Sequence, residues 1–298
     1  MQTFTDSQPS DQAIDAPGAR AGVGRRATST RHRVKRIALS TGVTLPYVEQ
    51  GDATGVPIVM LHGVTDSWHS FEPVLPYLPQ SIRAFALTQR GHGDADRPGS
   101  GYRTQHFAAD VAAFVAALGL GKVVIVGHSM GSTNALRFAI DYPEYTRGLV
   151  IAGAFATYRN NPVIVEYWES GVRGLTDPIA PQFAREFQES TLAQPIPADF
   201  LDLAVQESLK VPARVWLEAF AGMLEDDFVG DLGKVRVPTL DIWGAQDAFA
   251  RRIDQEQLVA GILDSRLVVY QNAGHAVHWE EPERFAKDLS AFVVGLSA

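Results

Sequence analysis

Short apolar runs without regular polar alternation recur along this chain, at 57–61, 82–87, 122–126, 148–152, 237–243 and 266–270. Each is too short for a helix and is bounded by turn-forming residues. Unbroken strands of this kind are stable only when both faces are covered. Between the runs the hydrophobic period becomes helical. Phe107, Val111, Phe114, Val115 and Leu118 share one face, with Gly119 as a stop, and Phe285, Leu289, Phe292, Val293 and Leu296 share another behind Pro282. Such alternation specifies an α/β fold, a mostly parallel sheet flanked by helices. The segments 34–39 and 45–48, joined through Ser40-Thr41-Gly42, read as an opening hairpin. The pattern lapses once. Between 157 and 232 only helical candidates occur, broken by Pro162, Pro178, Pro181, Pro195, Pro197 and Pro212, as in a helical insertion between two strands of one sheet. The chain therefore divides into a core at 34–156 and 233–298, a helical insertion at 157–232 and an N-terminal tail at 1–33.

The tail carries Arg20, Arg25, Arg26, Arg31 and Arg33, and no Asp or Glu lies between Ala16 and Val48. With neither period and few apolar residues, it reads as disordered. An arm packed on a neighbouring subunit is the alternative, and an oligomer is compatible with the sequence. Arg25-Arg26 lacks the apolar segment of a twin-arginine signal, and Asp6, Asp11 and Asp15 count against a transit peptide, so a cytoplasmic location is expected. Across the chain 34 Asp and Glu outnumber 26 Lys and Arg, and the net charge of −8 argues against a nucleic-acid partner. No apolar run nears the roughly 18 residues that cross a bilayer, so no membrane partner is expected. Cysteine is absent, which excludes disulfides, thiolate metal sites and cysteine nucleophiles.

The chemistry concentrates at Gly127-His128-Ser129-Met130-Gly131, directly after the run at 122–126 and before a helical run from Ser132. A serine at a strand-to-helix turn takes strained backbone angles that lift its hydroxyl clear of the sheet edge. The helix start turns N–H groups toward a developing oxyanion. G-x-S-x-G also arises by chance in glycine-rich loops, but the strand–turn–helix context discounts that here. The hydroxyl needs a base. His275 stands just past the run at 266–270, at a strand end where α/β sites assemble, and His278 is its rival. His32 is in the tail, His69 and His106 are near helix starts, and His92 is in a glycine-rich loop. The side chain of His128 points away from that of Ser129. The base in turn needs a carboxylate. Asp247 lies just past the run at 237–243, whereas Asp241 lies inside it and serves packing or a local hydrogen bond. Asp254 is on a helix that runs away.

Leu61-His62-Gly63, Arg90-Gly91-His92-Gly93, Gly127 to Gly131, Trp243-Gly244 with Asp247, and Gly274-His275 followed by Glu281-Pro282 occur in this order, each at a strand end. In these motifs, and in the chain order Ser129, Asp247, His275, residues 34–298 resemble the α/β-hydrolase superfamily. The resemblance implies an eight-stranded sheet with a helical cap formed by the insertion. It implies Ser129 as nucleophile, Asp247 as acid and His275 as base, with the backbone N–H groups of Val64 and Met130 as oxyanion hole. It also implies that His62 orients its turn, and that no metal or organic cofactor is needed. Ser129 stands where haloalkane dehalogenases and epoxide hydrolases of the superfamily carry Asp. Val64-Thr65-Asp66 replaces the extra glycines of the carbon–carbon bond hydrolases, and Thr88 replaces an acid frequent two residues before the Arg of the Arg-Gly-x-Gly loop.

The expected activity is hydrolysis of a carboxylic ester or lactone of a small, largely apolar molecule through an acyl-enzyme. A carbon–carbon bond hydrolase and a ligand-binding receptor with an intact triad are the alternatives. The insertion is aromatic, with Tyr158, Tyr167, Trp168, Phe183, Phe187, Trp216, Phe220 and Phe228. Two or three of these are expected to face the pocket while the rest pack the insertion. Trp68, Trp168 and Trp216 are the expected substrate contacts.

Overall fold

The computed structural model describes residues 32–159 and 161–296, so the disorder expected of the tail falls, except for His32 and Arg33, outside the described residues. Eight strands form one sheet: β1 (Lys35–Ala38), β2 (Thr44–Gln50), β3 (Val56–Leu61), β4 (Ile82–Leu87), β5 (Val123–His128), β6 (Thr146–Ala152), β7 (Thr239–Gly244) and β8 (Ser265–Tyr270). Their order is β1-β2-β4-β3-β5-β6-β7-β8. The hairpin β1–β2 and the pair β2–β4 are antiparallel, and every later pair is parallel.

The unbroken apolar strands are explained by two buried faces. Val59, Leu61, Phe85, Ile125, Leu149 and Ile151 point to one side, where α1 (Thr104–Ala117) and α2 (Met130–Asp141) supply Phe114, Leu136 and Phe138. Their neighbours Ile58, Met60, Val124, Val126 and Val150 point to the other, against Phe71 and the Phe285 and Leu289 of a C-terminal helix, Pro282–Gly295. Each large side chain buried in this way contributes about 1.5–3 kcal/mol. The Arg90 loop is pinned to α1 by a buried fork. Arg90 Nε and Nη2 each donate to Asp110 at 2.6 Å, and the Thr41 hydroxyl donates to the same carboxylate at 2.6 Å.

Between β6 and β7 the chain runs through α3 (Pro162–Ser170), α4 (Pro181–Ser190), α5 (Ala198–Leu209) and α6 (Ala213–Glu225). Thr157 and Asp227 form an antiparallel bridge where this excursion leaves and rejoins the core. Its apolar interior, centred on Trp216, continues into Val64, Met130, Trp243 and Phe249, so these helices sit over the C-terminal ends of the strands. The remaining helices are α7 (Arg252–Gly261), the short α8 (Val277–Glu280) and α9, the C-terminal helix given above.

Candidate active site

Ser129 joins β5 to α2 at φ 52°, ψ −120°. A residue with a side chain holds such angles only where its surroundings enforce them. Here the turn is pressed against β3, and a Cβ on Gly131 would lie 2.1 Å from the Leu61 carbonyl oxygen, so only glycine fits. The Ser129 N–H donates to the Ala152 carbonyl at 2.9 Å, which ties the turn to the end of β6. Helix α2 begins at Met130, two residues earlier than the sequence pattern marks it.

Asp247 and His275 follow the ends of β7 and β8. His275 Nδ1 lies 2.8 Å from Asp247 Oδ2, with the two side chains 5% and 0% exposed. The other carboxylate oxygen accepts the N–H groups of Phe249 at 2.8 Å and Ala250 at 2.9 Å. A carboxylate accepts only, so Nδ1 carries a hydrogen, and in the neutral ring Nε2 is then the nitrogen with the lone pair. Ser129 and His275 both line one cavity, together with Gly63 and Val64 from the turn after β3. Among the described residues no acceptor takes the N–H of Val64 or of Met130.

The neighbouring histidines are held neutral by burial. His62 donates from Nδ1 to the Gly63 carbonyl and accepts the Gln89 N–H, and its pKa lies well below the usual range. His128, likewise lowered, donates from Nε2 to the His275 carbonyl. His278, the rival base, meets Ser70 Oγ through Nε2 and has no partner at Nδ1 among the described residues; burial lowers its pKa to about 3. Of the two roles expected of Asp241, packing or a local hydrogen bond, the buried side chain makes no hydrogen bond among the described residues. Neither carboxyl oxygen has a partner among the described residues, and burial raises its pKa well above the ordinary value. No three acidic or histidine side chains among the described residues are arranged to hold a metal ion.

The family model described as alpha/beta hydrolase fold matches residues 56–282. The chain belongs to the alpha/beta hydrolase fold family. This alpha/beta hydrolase is 27% identical to the non-heme chloroperoxidase of Streptomyces lividans over 277 residues, 86% of this chain and 98% of that protein. It is 34% identical to the 2-(acetamidomethylene)succinate hydrolase of Mesorhizobium japonicum over 119 residues, 40% of this chain but only 42% of that enzyme. An esterase from Rhodococcus sp. ECU1013 shares the fold with a TM-score of 0.80 at 24% identity, covering 88% of this chain and 99% of the other. Among the described residues of this alpha/beta hydrolase, no helix is long and apolar enough to cross a membrane.

The three tryptophans expected to contact substrate do not line the cavity of this alpha/beta hydrolase. Trp68 packs in the core cluster that holds Phe71 and Val74, its ring centroid 3.8 Å from that of His69 and edge-on to His32. Trp216 fills the interior of the insertion, parallel to Phe220 and edge-on to Phe187, while Trp168 packs on the outer side of the same cluster. Large rings bury most area inside a core, and these support the lining rather than form it. The insertion instead lines the cavity with four of the expected aromatics, Tyr158, Tyr167, Phe187 and Phe220. The core adds Phe155, Phe249 and Trp279, which sequence reasoning missed. Trp279 had a signal, standing one helical turn beyond His275. Three polar residues, Asp66, Gln188 and Thr191, also enter the lining unannounced. Gln188 of α4 donates to Asp66 at 2.9 Å, and burial pushes the Asp66 carboxyl up to about 7 against the hydrogen bonds from Gln188 and Ser70.

Proposed function

We propose that this alpha/beta hydrolase is a serine hydrolase that cleaves a carboxylic ester or lactone of a small, largely apolar molecule through an acyl-enzyme. The observation that carries the reading is the strained Ser129 turn opening on the same cavity as a histidine whose Nδ1 is engaged by a buried carboxylate. In this mechanism His275 Nε2 takes the proton of Ser129 Oγ as the oxygen bonds to the substrate carbonyl carbon. Asp247 stabilises the imidazolium that results. The carbonyl oxygen gains its negative charge beside the N–H groups of Val64 and Met130, each such donor contributing about 3–4 kcal/mol to the transition state. The proton then passes from His275 to the leaving alcohol as the carbon–oxygen bond breaks. Water, deprotonated in the same way, releases the acid and restores Ser129.

The apolar walls support a substrate with an apolar acyl or alcohol group, and the overlying helices support a small enclosed molecule rather than a polymer. The test is steady-state turnover of a panel of short and medium acyl esters, aromatic esters and γ- and δ-lactones, beside a vinylogous diketone. Multiple turnover of esters or lactones is expected. Ser129→Ala should lower it by more than about a thousandfold with the fold retained. Turnover of the diketone alone would replace ester cleavage with carbon–carbon cleavage, and binding without turnover would make the protein a receptor.

A further inference from the structure

The helices above the cavity and the loop that bears His275 are tied together through the peptide backbone. Just past α4, the carbonyl oxygen of Thr191 accepts the N–H of His275 at 2.8 Å and of Ala276 at 3.1 Å. Glu280, the last residue of α8, closes the seam from the opposite side. One carboxylate oxygen accepts the N–H of Gly274 at 2.6 Å, and the other accepts those of Ala193 at 2.5 Å and Gln194 at 3.0 Å. The approach leaves no slack, since a Cβ on Gly274 would lie 2.7 Å from the Ala193 nitrogen. Beside these bonds Leu192, Ile196 and Phe200 pack on Ala276 and Trp279, with Phe200 edge-on to the Trp279 ring at 5.4 Å. Glu280 touches neither Ser129 nor the His275–Asp247 pair, so these bonds serve the seam alone.

We propose that Glu280 is a positioning residue for His275 and makes the place of its ring depend on a seated cap. Hydrogen bonds to an ionised carboxylate are among the stronger ones available to a backbone N–H. Lifting the 191–194 segment removes the acceptor from the N–H groups of His275 and Ala276. It also strips two of the three backbone donors from the carboxylate that holds Gly274. The base is therefore assembled only over an enclosed substrate, and an open cap is an inactive one. The kinetic consequence rests on the serine-hydrolase reading; the coupling of the two segments does not.

The experiment uses the full chain with Glu280→Gln, which sets an amide NH2 against a backbone N–H, and Phe200→Ala, which loosens the seam from the cap side. Amide hydrogen exchange over 191–195 and 272–277 should accelerate together in both variants. Turnover of p-nitrophenyl butyrate is measured per active serine, counted by fluorophosphonate labelling carried to completion. The value of kcat per labelled site should fall by about 10–100-fold, with KM changed by less than about threefold. Misfolded chains do not label, so a merely structural role would leave kcat per site at the wild-type value and overturn the proposal. Faster exchange in the histidine loop alone would overturn it as well. Failure of the wild type to label or to turn over any ester would instead sink the serine-hydrolase reading, and exchange would still decide the coupling.

Discussion

At Gly153, just past β6, a missing side chain decides where the ring of His275 can rest. The backbone there has φ +55°, and a Cβ would stand 2.9 Å from both Cε1 and Nδ1 of His275. Nδ1 is the atom bonded to Asp247, so an added methyl pushes the ring off its carboxylate. Gly153→Ala should lower kcat by about 10–100-fold, the usual consequence of a displacement approaching 1 Å at a reacting group. Near-ultraviolet circular dichroism should stay unchanged. Steady-state kinetics checks this, and an alanine variant with the wild-type kcat would mean that the ring can be accommodated elsewhere in the pocket.

Among the elements, the insertion depends most on a single side chain. Trp216 is fully buried against Phe183, Phe187 and Phe220, and two of those rings line the cavity. Trp216→Ala should cost about 3–5 kcal/mol by denaturant unfolding and raise KM more than it lowers kcat. A change in kcat alone would place the tryptophan's influence at the reacting atoms instead. The same side chain shows where sequence reading stops. The strands could be read because double coverage leaves an unbroken apolar run, and Ser129, Asp247 and His275 could be singled out because each follows such a run. Trp216 was expected in the pocket because composition records that an aromatic is present, not which way it faces; packing among the insertion's own helices settles that. The seam at Thr191 and Glu280 was invisible for a related reason. Apart from the Glu280 carboxylate its partners are backbone groups brought together from far apart in the chain, and backbone groups are the same in every sequence.

Over the whole molecule, opposed sets of buried groups shape the response to pH. Burial raises the carboxyls of Asp66 and Asp226 to about 7 and that of Asp241 well above its ordinary value, and it lowers His62, His92, His128 and His278. A carboxyl raised on folding keeps a proton that the unfolded chain releases above about pH 4. Its stabilisation is therefore full below that pH and is lost as pH climbs toward 7. A histidine lowered on folding works in the opposite direction, because the unfolded chain gains a proton below about pH 6.5 and the folded one does not. Asp66→Asn removes one member of the first set. Relative to the wild type, its stability should improve by a few kcal/mol as pH rises from about 4 to about 7, then hold constant. Thermal unfolding across that range checks this, and parallel curves would mean that Asp66 titrates alike in the folded and unfolded chains. The bridge between Thr157 and Asp227 has a consequence of another kind. Because the insertion leaves and re-enters the core at adjacent points, it is built as a cassette, exchangeable in principle at little cost in chain closure. The contacts at Thr191, Ala193 and Gln194 set the terms of exchange. A foreign cassette must bring one backbone carbonyl and two N–H groups to the same spot, or the graft will bind substrates that it cannot convert.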